Sequence, residues 1–164
     1  MSILDFKFIW LGQSIFRYRV PEDIFNTINK IYENNFVKLP DAHKQLVGKI
    51  KKENSLFFAG AKNNKMHQHN ILPPYILNWF ESKFRHYLDF NKIHPYKLHM
   101  NSIWINEMKA GEYNPIHIHQ GTIYTGLSSV MMLKLPRDMG PEYARPDTPL
   151  NGKLQIVGAA NGQF

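Results

Sequence analysis

The strongest constraint on the fold is a change of residue periodicity near residue 96. Before it, two segments led by proline, starting at Val20 and Pro73, carry apolar residues at helical spacing. After it, residues 96–108 place Leu, Met, Trp and Asn side chains at every second position, as a half-buried strand does. Helices first and strands second predict an α+β fold, with N-terminal helices packed on an antiparallel sheet.

The first 95 residues are interpreted as a helical support region with short strands. Apolar residues at Ile24, Ile28, Ile31 and Tyr32 define a first helix that ends at Asn34-Asn35. The remaining elements predicted here are two strands in residues 3–18, a weak helix at 43–52, a strand at 55–59, a polar loop at 61–70 and a helix from Pro73 with a broad apolar face.

The second half is interpreted as the first part of a jelly-roll core, residues 96–164. Strands are predicted at 96–108, 122–135 and 152–157, and residues 136–151 form a loop because they hold four prolines. The 164 residues suit one domain, since domains usually have about 100–200 residues. We therefore expect a single domain with a jelly-roll or cupin-like sheet.

Composition excludes several classes of protein. Hydrophobic residues make up 43% and aromatic residues 13%, which is too apolar for a disordered chain. No apolar run approaches the roughly 18 residues of a membrane span. The absence of cysteine excludes disulfide scaffolds, thiolate zinc sites and cysteine nucleophiles. Residues 1–10 lack the features of a signal peptide, so we expect a cytoplasmic protein with no membrane partner.

The net charge of +7 raises the question of nucleic-acid binding. Residues 1–100 hold 15 Lys/Arg and 8 Asp/Glu, whereas residues 101–164 hold 5 of each. The densest cluster, at Lys49, Lys51 and Lys52, has no interleaved aromatic residues and is typical of a solvated surface. We do not expect nucleic acid to be the main partner; the basic half is better suited to attracting an anionic substrate.

Two His-x-His pairs are candidate metal ligands, because residues i and i+2 of a strand point to the same face. His67 and His69 lie in a polar loop and are interpreted as exposed polar residues. His117 and His119 follow a turn and precede Gly121, so both imidazoles are placed to bind one metal ion. A structural, hydrogen-bonded pair remains the alternative.

The stretch from Ser102 to Gly121, continuing through Thr125-Gly126 to Leu135-Pro136, resembles the iron- and 2-oxoglutarate-dependent oxygenases. The pattern consists of a Trp-x-Asn strand, a Gly six residues before the first His, His-x-His, a Thr-Gly pair and a strand ending in Pro. Over these 35 or so residues the chain is similar to oxygenases of marine bacteria and their phages, which are distantly related to prolyl hydroxylases.

The resemblance implies a double-stranded β-helix with Fe(II) as the metal and 2-oxoglutarate as the cosubstrate. His117 matches the first iron ligand, and His119 stands where most members have Asp. Asn106 and Tyr124 are the candidates for binding the cosubstrate or substrate. The implied activity is hydroxylation of a peptide or a small molecule.

The chain also departs from the family pattern. No His follows His119, and Lys153 is the only basic residue after Arg145, so a distal His ligand and a basic residue for the cosubstrate carboxylate are missing. We therefore expect a truncated, catalytically incomplete chain whose third metal ligand is unidentified. An incomplete sheet exposes an edge, which predicts a homo-oligomer formed near residues 152–158.

Other functions remain as alternatives or are excluded. The main alternative is a non-enzymatic jelly-roll module, in which the two histidines are structural or bind a metal without redox chemistry. A serine hydrolase is excluded because Ser128-Ser129 has no Gly-x-Ser-x-Gly frame. No phosphate-binding glycine loop is present either.

Overall fold

The computed structural model describes residues 6–10, 14–35, 38–41, 48–59, 69–115, 117, 126–141, 147 and 150–156. In this part of the chain the elements, in order, are β1 (Phe6–Trp10), β2 (Ser14–Tyr18), α1 (Glu22–Asn35), β3 (Lys52–Phe58), β4 (His69–Asn70), α2 (Pro74–Phe90) and β5 (Ser102–Glu107). The mixed helix and sheet composition confirms the predicted combination of helices with antiparallel strands.

The strands form two antiparallel sheets. β1 and β2 make a two-stranded hairpin, and a three-stranded sheet has the order β4-β3-β5. In the larger sheet, Glu53 is opposite Asn106 and Ser55 is opposite Trp104. The register then shifts, because Phe57 is opposite Ile103 and Leu56 is the extra residue of a β-bulge.

The hydrophobic core lies between the two helices and one face of the three-stranded sheet. Its buried residues are Ile24 and Ile28 of α1, Leu56 of β3, Ile76 of α2, and the loop residues Leu39 and Leu72. Ile103 and Ile105 of β5 pack against this cluster. Because side chains alternate along a strand, Trp104 and Asn106 belong to the opposite face of the sheet.

Aromatic rings attach the hairpin to α2. The Phe16 ring of β2 lies with its centroid 5.0 Å from the rings of both Tyr87 and Phe90, in edge-to-face geometry. The Tyr87 hydroxyl donates a hydrogen bond to the carbonyl oxygen of Ser14 at 3.2 Å. The hairpin is therefore anchored along one side of the helix.

Tyr18 completes this contact. Its hydroxyl lies 2.8 Å from Nδ1 of His86 and 3.2 Å from the carbonyl oxygen of Lys83. Burial of the phenol raises the pKa of Tyr18 to about 12. The Lys83 ammonium lies 5.4 Å from the centre of the Tyr18 ring and 5.7 Å from that of Trp79, within the range of cation–π attraction.

Several predicted boundaries differ from the observed ones. β5 occupies residues 102–107 rather than 96–108 because its partner strand, β3, begins at Lys52 and ends at Phe58. Residues 48–51 are not helical and lead into β3, whereas residues 43–47 of the weak helix lie outside the described part. Residues 69–70, predicted as loop, form β4 because they pair with Phe57 and Phe58.

The predicted strands at 122–135 and 152–157 are wrong over their described residues. Residues 126–135 have no regular secondary structure, and residues 152–156 are exposed and form no strand. A strand needs a neighbour and a buried face, and residues 152–156 bury neither face. A jelly-roll is thus not confirmed. None of the helices in the described part of the chain has the length and apolarity needed to cross a bilayer.

Candidate functional site

A tight turn after β5 leads the chain toward the second histidine pair. The backbone N–H of Glu112 donates to the carbonyl oxygen of Lys109 at 2.9 Å, and the N–H of Lys109 donates to Oε2 of Glu112 at 2.8 Å. Gly111 has φ +78, in the left-handed region that glycine adopts without strain. The glycine of the predicted turn is therefore required by the backbone.

Gly48 and Lys49 hold the segment that follows the turn. The N–H of Lys49 donates to the carbonyl oxygen of Tyr113 at 2.9 Å, and the N–H of Tyr113 donates back at 3.2 Å. A Cβ at residue 48 would lie 2.4 Å from the Tyr113 oxygen and 2.9 Å from Cα of Asn114. Only glycine allows residues 113–115 to approach residue 48 so closely, and this contact positions the start of the histidine pair.

His117 is exposed two residues beyond this contact. Its Nδ1 lies 2.7 Å from the carbonyl oxygen of Pro115. Because a carbonyl oxygen only accepts hydrogen bonds, Nδ1 carries the proton, and in the neutral ring Nε2 carries the lone pair. A backbone carbonyl that orients Nδ1–H in this way is the usual arrangement of a histidine that ligates a metal through Nε2.

The other predicted ligands are not placed together with His117. His119 and Tyr124 lie outside the described residues, as does His67. His69 is described, and the interpretation of it as an exposed residue is wrong: it is half-buried in β4, with Nε2 3.1 Å from the carbonyl oxygen of Ser55. In the described ranges, no group of three or more His, Cys, Asp or Glu is placed to hold a metal ion.

Asn106 lies in β5 on the sheet face away from the helices. Its Oδ1 is buried, and no described residue donates a hydrogen bond to it. Trp104, two residues earlier, is half-buried on the same face. Met108, expected to share this face, is 55% exposed because it lies beyond the end of the strand. Glu53, opposite Asn106 on the same face, is buried as well, so the face offers an amide and a carboxylate acceptor close to the turn that leads to His117.

A polar cluster on the core face of the sheet was not foreseen. The Tyr32 hydroxyl donates to Oε2 of Glu107 at 2.7 Å, and burial, followed by the hydrogen bond and charge of Glu107, raises the pKa of Tyr32. Asn54 is fully buried and close enough to Tyr32 to oppose this rise, yet its amide atoms meet no partner at hydrogen-bonding geometry among the described residues. The local sequence around either residue could not predict the contact between Tyr32 and Glu107, because they are 75 positions apart.

No family model matches the chain, and no curated protein or solved structure is significantly similar to it. Inferences about its function therefore depend on its own residues and on the motif around the histidine pair.

Proposed function

We propose that the chain is a domain of the iron- and 2-oxoglutarate-dependent oxygenases, with His117 and His119 as Fe(II) ligands and a peptide or a small molecule as the class of substrate that is hydroxylated. Because no His follows His119 and no basic residue is available for the cosubstrate carboxylate, this chain by itself is expected to bind the metal and the cosubstrate but to have little or no turnover. The observation that supports the proposal most directly is the hydrogen bond from Nδ1–H of His117 to Pro115 at 2.7 Å, which leaves the lone pair on Nε2. The family itself is proposed from the motif in residues 102–136, together with a double-stranded β-helix extending the β3–β5 sheet.

Fe(II), when bound, supplies the coupling between oxidative decarboxylation of 2-oxoglutarate and oxidation of a C–H bond. With His119 in place of the usual Asp, the neutral imidazole leaves the metal site with one more positive charge. A more cationic site attracts the dianionic cosubstrate more strongly. The basic surplus in residues 1–100 acts in the same direction at longer range.

Asn106 and Tyr124 are assigned to the organic ligands. The buried Oδ1 of Asn106 accepts hydrogen bonds, so it suits an N–H or O–H of the substrate, while its amide N–H₂ donates to a carboxylate. The Tyr124 hydroxyl is a donor for the cosubstrate carboxylate. We propose that the protein acts in the cytoplasm.

The experiment is an assay of Fe(II)-dependent CO₂ release from 2-oxoglutarate, paired with calorimetric binding of Mn(II) as a redox-inert substitute. His117→Ala and His119→Ala are compared with His99→Ala, an exposed histidine outside the segment, as the matched control. The proposal predicts that binding of Mn(II), and of 2-oxoglutarate to the Mn(II)-loaded protein, is lost in the first two variants and kept in the third. CO₂ release is expected to be slight at most in the unsubstituted chain and absent in the first two variants.

Two outcomes would change the assignment. Mn(II) binding that depends on His117 and His119, with neither 2-oxoglutarate binding nor CO₂ release, would favour the alternative, a metal-binding module without redox chemistry. The His-for-Asp substitution at residue 119 is the observation that makes this alternative specific. Metal binding equal in all variants would contradict the assignment of the ligands.

A further inference from the structure

The face of the three-stranded sheet that lies away from the helices carries four polar or aromatic residues in one block. Glu53 is directly opposite Asn106 and Ser55 is directly opposite Trp104, so these are successive pairs on one face of β3 and β5. Such side chains have Cβ atoms about 4.5–5.5 Å apart across the strands and about 7 Å apart along each strand. The four are therefore neighbours, and we call them the outer-face cluster.

The β-bulge at Leu56 sets one limit of the outer-face cluster. In a regular strand Phe57 shares a face with Glu53 and Ser55, because side chains alternate. The extra residue places Phe57 opposite Ile103 instead, and both of these residues pack against the hydrophobic core. The bulge therefore keeps a large apolar ring out of the outer-face cluster.

The outer-face cluster contains a buried acceptor without a donor. Oδ1 of Asn106 is buried, and no described residue donates a hydrogen bond to it. A buried amide oxygen that lacks a donor is costly, and an N–H of a ligand removes this cost when it binds. Asn106 and Trp104 are half-buried in β5, the outer strand in the described order β4-β3-β5. This half-buried side of the cluster is the part that a ligand can contact.

The carboxylate of Glu53 gives the outer-face cluster its preference for positive charge. Glu53 is only 7% exposed, so its charge acts through a medium of lower dielectric constant than water. Lys52, its neighbour in sequence, is opposite Glu107 and belongs to the core face of the sheet. A cation with N–H groups supplies both the charge that complements Glu53 and the donor that Asn106 accepts.

Trp104 favours an organic cation over a metal ion. An indole ring attracts an ammonium or guanidinium group that lies within about 6 Å of its centre. A divalent ion instead requires several oxygen ligands, and in the described ranges no group of three or more His, Cys, Asp or Glu is placed to hold one. One carboxylate, one amide oxygen and one indole ring are the groups that an alkylammonium or guanidinium ion uses.

We propose that the outer-face cluster binds an alkylammonium or guanidinium group, with Glu53 as the opposite charge, Asn106 as the acceptor and Trp104 as the cation–π partner. Such a group is then the recognised part of the substrate, an inference that rests on the proposed oxygenase function. The net charge of +7 opposes a cation at long range, but physiological salt screens charges beyond about 8 Å, so the cluster itself decides binding. The anion suited to the basic half is the cosubstrate.

The test is an NMR titration of the full chain with n-butylammonium and with n-butylguanidinium, and N-butylacetamide is the neutral control with the same alkyl group. No Fe(II) or 2-oxoglutarate is added, so the result does not depend on the metal site. The readout is the indole N–H signal of Trp104, assigned by its loss in Trp104→Phe. Both cations are expected to shift this signal with dissociation constants of about 1 mM, and the neutral control should bind at least about tenfold more weakly.

Two further ligands separate a small-molecule substrate from a peptide substrate. They are capped tripeptides with a central lysine or a central arginine, which carry the same cationic groups on a peptide backbone. Tighter binding of a tripeptide than of the matching free cation identifies the side chain of a peptide as the ligand. Tighter binding of the free cation identifies a small amine or guanidine.

The charge of Glu53 is tested against that of a carboxylate on the other face of the sheet. Glu53→Gln should raise the dissociation constants of both cations at least about tenfold. Glu107→Gln is the matched control, since it removes the same charge from the residue next to Asn106 on the core face, and it should change them less than about twofold. Asn106→Asp adds a second carboxylate and should lower them at least about threefold, a gain that loss of folding cannot produce.

Three results would overturn the proposal: no shift with either cation at about 20 mM, equal binding of N-butylacetamide, or equal effects of Glu53→Gln and Glu107→Gln. Circular dichroism and urea unfolding check that each variant folds, and Asn106→Asp decides the test if Glu53→Gln does not fold. A chain that binds metal and 2-oxoglutarate but no cation keeps the proposed function and loses this substrate class. A chain that binds the cations but neither metal nor 2-oxoglutarate loses the proposed function and keeps the cation site.

Discussion

Gly48 lies so close to Tyr113 that a Cβ at residue 48 would be 2.4 Å from the Tyr113 carbonyl oxygen. This approach, with the two backbone hydrogen bonds between Lys49 and Tyr113, fixes the segment whose continuation carries His117. The segment just before β3 is thereby hydrogen-bonded to the segment that follows β5, a few residues before His117.

Replacing Gly48 with alanine should destabilise the fold by about 2 kcal/mol, because the added methyl group forces residues 113–115 away from residue 48. Urea unfolding measures the loss. Gly126→Ala is the matched control: nothing lies within 4 Å of a Cβ at residue 126, so no loss is expected there. Equal stability of the two variants would contradict the contact.

Tyr32→Phe should lower the free energy of unfolding by about 1–2 kcal/mol, because it leaves the half-buried Glu107 carboxylate without this donor. The exposed Tyr75 hydroxyl, which donates to Oγ1 of Thr27 at 2.9 Å, provides the comparison. Tyr75→Phe should cost less than about 0.5 kcal/mol, because water replaces an exposed partner. The free energies of unfolding should therefore differ between the two variants, and similar values would argue against a special role for the buried pair.

Alkaline pH should weaken the fold through Tyr18. Its pKa is raised from 10.0 to about 12 in the folded protein, so between pH 10 and 12 the unfolded chain loses this proton first and binds fewer protons than the folded one. The contribution to stability is complete below pH 10 and is lost as the pH rises toward 12. Burial raises the pKa of Tyr32 as well, so it adds to the same loss.

Tyr18→Phe should therefore reduce the steepness of the fall in unfolding free energy between pH 10 and 12, without abolishing it. The measurement is urea unfolding at several pH values in this window, read as a slope, because the substitution also removes the contact with His86 and lowers the starting value. A slope identical to that of the wild type would show that the Tyr18 phenol titrates normally.

The stability of the hydrophobic core should depend strongly on Ile76 of α2. Ile76 is fully buried between the helices and the sheet, so Ile76→Ala should cost about 2–5 kcal/mol through lost burial and a cavity. Ile93→Ala removes the same atoms from a side chain that is 46% exposed, and should cost less than about 1 kcal/mol. Thermal or urea unfolding of the pair tests where the core lies, and a reversed order would contradict it.

Local sequence signals predicted the two helices of the first half well. Proline and acidic residues marked the start of α1, Pro73-Pro74 marked the start of α2, and the apolar positions Ile24, Ile28 and Ile76 are buried as their spacing indicated. The alternating residues 102–107 also form a strand. These elements depend on contacts between residues close in sequence and on one buried face for each element. The spacing of apolar residues in the sequence indicates that face.

The second half was predicted less well because strands depend on partners that are distant in sequence. The length of β5 is set by β3, about 50 residues earlier along the chain, and residues 130–134 alternate in exposure although no strand is assigned to them. In the candidate site, the turn at Gly111 was predicted from its pattern, and the role of His117 as a ligand stays a prediction. The role of Gly48 was not predicted, because it follows from the approach of residues 113–115.

The most direct test of His117 and His119 as an iron and 2-oxoglutarate site is an anaerobic titration of the full chain with Fe(II) and 2-oxoglutarate, followed by visible absorption. A metal-to-cosubstrate charge-transfer band is expected in the wild type and in His99→Ala, and no band is expected in His117→Ala or His119→Ala. A wild type without a band, or a band that survives both histidine substitutions, would contradict the assignment of this segment as an iron and 2-oxoglutarate site.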